Sequence, residues 1–244
     1  MTEIRYTSAG RLLEEIYRIK RSYDKGNNVY HHLDHLFGGP GVPWSKGLGA
    51  FDRLVARVES DLEFVSDTRR QKFQSALAAV WKSVDAESFH LPAQGVAKSY
   101  LTDLNIERIE SVHDLLVSAG RSLAVDQERA GAVSQTLSDL IDEIAAGESS
   151  EIDDFLNEKL SELQFILDHY ALYGADGVKD AVSVLIGSIT IESVARGGLS
   201  EAAKKHARGV WRVAKGALDA LVYTQSGADA IEWAGHGLAG LLEG

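Results

Sequence analysis

Apolar residues recur at intervals of three and four along most of the chain, the spacing that lines one face of a helix, and no segment shows the strict alternation of a half-buried strand. The pattern predicts a first helix from Ser8 to about Asp24, with Leu12, Leu13, Ile16, Ile19 and Tyr23 inward and Gly-Asn-Asn at 26–28 as its stop. A short helix from Val29 to Phe37 follows. Beyond the loop GGPGVPWSKG at 38–47, helices over about Leu48–Ser66 and Asp67–Asp85 read as an antiparallel hairpin. The stretch ESFHLPAQG at 87–95 then interrupts the periodicity, since Pro92 disfavours helix at the residue before it.

Further helices are expected at about Asn105–Ala119, Val125–Ala146 and Ser150–Tyr173, the last with Ile152, Leu156, Leu160, Leu163, Ile166 and Tyr170 on one stripe. Twelve of the 23 glycines fall in the last 71 residues. Helices are still expected there, at about Gly177–Val194, Leu199–Tyr223 and Ser226–Leu242. A glycine inside a helix costs ~1 kcal/mol relative to alanine, so these must gain stability from close packing. The reading is an all-α, multi-helix bundle of about eight to ten helices with a Gly-rich C-terminal helical segment. An N-terminal helical subdomain over 1–90 and a C-terminal helical bundle over 91–244 are expected, with one continuous domain as the alternative.

Composition adds limits. At 244 residues, 45% hydrophobic and 25% charged, the chain has the make-up of an ordinary soluble globular protein. Its longest uncharged apolar run, AVSVLIGSITI from Ala181 to Ile191, has eleven residues, against the ~20 that a spanning helix needs. The start MTEIRYTSAGRLLEE lacks the basic and apolar regions of a secretory signal, so a cytoplasmic location is expected. A formal charge of −11 argues against nucleic acid as the main partner. The absence of cysteine removes thiolate metal sites, disulfides and a cysteine nucleophile. No cofactor is expected, and any metal would have to be held by histidine and carboxylate.

Three clusters invite a chemical reading. His31 and His35, four apart, share a helix face and could begin a metal site, but Asp34 points away from His31 and a third ligand is not evident. The alternative is a helix end leading into a rigid turn. Glu87 with His90 and Glu110 with His113 have the Glu-x-x-His spacing of bundle di-iron sites, which also need two further buried glutamates. The glycine-rich loop around Lys46 fails as a phosphate loop, because Gly47 stands where Ser or Thr is required and no strand precedes it.

The segment from Ser200 to Tyr223 reads as a basic amphipathic helix in an acidic protein. Lys204, Arg208, Arg212 and Lys215 fall along one side, and Ala207, Val210, Trp211 and Ala214 line another. Such a helix meets an acidic protein surface, its own or a partner's, or lies on an anionic membrane. The leading expectation is a noncatalytic helical protein acting through protein–protein contacts, as an oligomer or a subunit of a larger assembly, with Trp44, Trp211, Trp233 and the basic row as contacts. A membrane-active effector of toxin or phage-defence type, using residues 200–244, is the alternative. A metal-dependent helical enzyme built on His31 and His35 is the third reading.

Overall fold

A computed structural model describes residues 3–39, 42–121, 123–146, 151–195 and 201–221. Trp233 and the helix expected over 226–242 lie outside them. Ten α-helices are found among the described residues, and the chain is all-α as its periodicity predicts. It divides into two compact units, one of residues 5–123 and one of 1–4 with 124–244. Residue 90 therefore lies inside the first unit.

In the first unit α1 (Ser8–Tyr23), α2 (Val29–Phe37), α3 (Trp44–Asp61), α4 (Asp67–Lys82), α5 (Ala93–Tyr100) and α6 (Asp103–Ser118) surround one core. The inward stripe of α1 is as the spacing predicts: Leu12, Ile16, Ile19 and Tyr23 are fully buried. Thr7 caps this helix, its hydroxyl accepting from the Gly10 N–H at 2.9 Å. Helices α3 and α4 are antiparallel, with Phe51 stacked on Trp81 and Gln74 donating to Glu59 at 2.8 Å. The break at 87–95 is a pinned segment, tied to the start of α2 by Tyr30 N–H to Phe89 O, Val29 N–H to Leu91 O and Ala93 N–H to Asn27 O. It opens into α5, a helix of eight residues that the sequence reading leaves out.

The second unit holds α7 (Gln127–Ala146), α8 (Glu151–Asp168), α9 (Tyr170–Ala195) and α10 (Glu201–Leu221). The helix expected to run from Ser150 to Tyr173 ends at Asp168, and α9 starts at Tyr170, before the expected Gly177. The break in α9 is at Gly174, whose φ of 64° is open to glycine at little cost.

Two strands correct the expectation of none: β1 (Glu3–Tyr6) and β2 (Leu123–Asp126) pair in a two-stranded sheet. Four residues are too few to show an alternation, and the pairing segment lies more than a hundred positions away, so tertiary context decides.

Candidate functional site

The histidine cluster comes apart in three dimensions. Asn28 caps α2, its side chain accepting from the His31 N–H at 3.0 Å, and the helix turns His32 inward while His31 and His35 stay exposed. His32 is the structural member. Its Nε2 donates to the Gly26 carbonyl, which leaves Nδ1 to accept from the Ser22 hydroxyl at 2.9 Å. No group of three or more histidine or carboxylate side chains among the described residues is arranged to hold a metal.

The two Glu-x-x-His pairs do not converge either. Glu87 and His90 are exposed around the short 3-10 turn Ala86–Ser88. Glu110 and His113 instead bind α6 to α1. Tyr17 OH donates to Glu110 at 2.8 Å, a bond that holds the phenol above its ordinary pKa, and the Thr7 hydroxyl meets His113 Nδ1 at 2.7 Å. A Cβ on Gly10 would stand 3.0 Å from the His113 ring, so the glycine makes room for it.

The glycine-rich loop is likewise a packing device. Gly39 and Val42 exchange two backbone hydrogen bonds of 2.9 Å, and α3 begins at Trp44. Gly47 then presses against the last residue of α2: a Cβ there would overlap the Phe37 carbonyl. Trp44 is half-buried in an aromatic cluster, with ring centroids 6.2 Å from Tyr30 and 5.9 Å from Phe89.

Helix α10 carries the remaining candidates. It buries Ala207, Val210, Val213, Ala214 and Ala217, each at most 3% exposed. Its closest neighbour is α7, which Gly209 and Gly216 approach so tightly that added Cβ atoms would stand 2.8 Å from Leu140 and 3.2 Å from Val133. Lys205, absent from the sequence-selected row, pairs with Glu143 at 2.6 Å, and this bond draws the Glu143 carboxyl below its ordinary pKa. Gly209 beside Leu140 and Gly216 beside Val133 show that α10 and α7 run antiparallel.

Arg208, Arg212 and Lys215 are exposed on the outward face of α10, where no ion pair reaches them among the described residues. Lys204 and Trp211 are half-buried at its edge. Along the outward face of the neighbouring α7 lie Asp139, Asp142 and Glu143, all exposed. The reading of the sequence misses this acidic row, although its spacing of three and four was available. The surroundings are acidic too: the second unit has 9 Lys and Arg against 21 Asp and Glu, whereas the first has 16 against 15.

Two open grooves lie in the first unit. One of about 440 Å³ between α4 and α6 is lined by Arg69, Lys72, Phe73 and Asp114. Another of about 520 Å³ includes Lys20, Lys98 and Asp103, with Lys20 and Asp103 paired at 3.1 Å. Both have mixed charge and no converging set of catalytic groups. Among the described residues no helix is long and apolar enough to cross a membrane. Comparison with protein-family models, curated proteins and solved structures finds no match to this chain.

Proposed function

We propose that this chain works through protein–protein contacts in the cytoplasm rather than through catalysis, with the outward face of α10 as its principal contact surface. The observation that carries this reading is the row Arg208, Arg212 and Lys215, exposed together on a basic helix of an acidic unit. Three exposed cations on one face raise the local potential and select an acidic partner, whose approach they also accelerate. Trp211, half-buried beside them, adds an aromatic anchor of the type enriched in interfaces. Of the histidines and glutamates that offered chemistry, Glu110 and His113 are engaged in binding α6 to α1, while His31, His35, Glu87 and His90 lie exposed and belong to no metal-holding group among the described residues.

The packing of α10 favours this reading over a membrane-surface one. An amphipathic helix binds lipid through its apolar face, and here that face is buried in the bundle, so binding would require α10 to leave α7. The test is a triple reversal, Arg208→Glu, Arg212→Glu and Lys215→Glu, in the full chain. Light scattering on the complexes in which the protein occurs should show a smaller mass for the variant. An unchanged mass, with helicity retained, would refute the assignment of this face.

A further inference from the structure

We infer that the partner of the basic face is a second copy of this chain, arranged as a closed two-fold dimer in which α10 of each copy lies on α7 of the other. This rests on the proposed contact reading and names its partner. The surface offered by α10 and α7 has a basic half, Arg208, Arg212 and Lys215, and an acidic half, Asp139, Asp142 and Glu143, on adjacent antiparallel helices. A surface that holds both signs side by side complements itself when turned over.

The register is specific. Lys205 lies level with Glu143, Gly209 with Leu140 and Gly216 with Val133, so rising numbers on α10 match falling numbers on α7. A two-fold axis in the plane of this surface and parallel to the helices exchanges the positions of α10 and α7 without shifting them along the axis. Arg208 of one copy then comes level with Asp142 of the other, and Asp139 falls between Arg208 and Arg212, each offset by no more than about 3 Å of helix rise. Flexible arginine side chains span that offset. Asp139 already accepts from Gln135 at 2.8 Å, which leaves carboxylate lone pairs for an arginine. The two-fold makes every such pairing twice and leaves no open end for further growth.

A charge-exchange experiment on the purified full chain tests this. Sedimentation velocity at low ionic strength should give a dimer for the wild type, dissociating in ~1 M salt where screening reaches ~3 Å. The variant Arg208→Glu/Arg212→Glu and the variant Asp139→Lys/Asp142→Lys should each dimerise at least about tenfold more weakly, because each homodimer would set like charges against each other twice. Mixing the two variants in equal amounts should restore the dimer, since every contact in the mixed pair joins opposite charges. A merely destabilised variant would not be rescued by mixing, and circular dichroism of each checks that it is folded. A monomeric wild type, or a mixture that stays monomeric, overturns the two-fold pairing and leaves the contact reading to a different acidic protein. A dimer indifferent to both reversals overturns the pairing and the contact face together.

Discussion

Lys205 Nζ on α10 stands 2.6 Å from the Glu143 carboxylate on α7, and this contact sits at the seam between the basic and acidic rows of the second unit. Both groups are well exposed, at 71% and 50%, so screening by water leaves the pair little weight in holding the helices together. That task belongs to the apolar faces and to Gly209 and Gly216. Glu143→Gln should therefore move the melting temperature by no more than about one or two degrees. A larger fall would mean that the ion pair, not the burial, fastens α10.

Glycines at two close approaches should respond differently to alanine. Gly47→Ala drives a Cβ into the backbone carbonyl of Phe37, which cannot rotate away, and should cost about 2 to 3 kcal/mol by chemical denaturation. Gly209→Ala meets only the tip of Leu140, which can change rotamer, and gains roughly 1 kcal/mol of helix propensity. It should be close to neutral. Equal costs at the two sites would contradict the distinction between backbone and side-chain neighbours.

The alkaline limit of the first unit should depend on Tyr23. This phenol is fully buried, donates to the Ser83 carbonyl at 2.8 Å, and has its pKa raised by burial from an ordinary 10.0. A group with a raised folded-state pKa gives its full stabilisation below the unfolded-state value, and the contribution is lost as pH climbs above it. Stability should hold level with respect to this group up to about pH 10 and fall beyond. Tyr23→Phe should lose about 1 kcal/mol at neutral pH with the hydrogen bond, and show a flatter alkaline decline. An identical decline in wild type and variant would exclude Tyr23 as its source.

Among the histidines of α2, only His32 should matter to folding. His32→Ala removes a buried link between Ser22 and the Gly26 carbonyl and should destabilise by about 2 to 3 kcal/mol. His31→Ala and His35→Ala, at exposed positions, should each stay within about 0.5 kcal/mol. Urea denaturation of the three variants separates a structural histidine from a metal-ligating pair, for which the latter two would be the sensitive positions.

Helix periodicity made much of this fold legible. The stripe Leu12, Ile16, Ile19 and Tyr23 is the core face of α1, α2 has the expected ends, and Gly209 and Gly216 mark close packing where α10 meets α7, whereas a Cβ on Gly187 would meet open space. What stayed hidden depends on distant partners. The strand Leu123–Asp126 exists because Glu3–Tyr6 pairs with it, and α5 starts where Asn27 and Leu91 fix a segment that local signals mark only as a break. For the site, periodicity put Arg208, Arg212 and Lys215 on one face, but Lys205 acquires its role only from Glu143, sixty-two residues away. His113 reads as a ligand by spacing and serves as the partner of Thr7.

Native mass spectrometry of the purified full chain at low ionic strength decides whether two copies pair through α10 and α7, since one spectrum gives subunit number and any retained ligand. The wild type should appear as a species of twice the 26.5 kDa chain mass that reverts to single chains in Arg208→Glu/Arg212→Glu. A wild type found only as single chains, or a dimer that the double reversal leaves intact, would contradict this pairing.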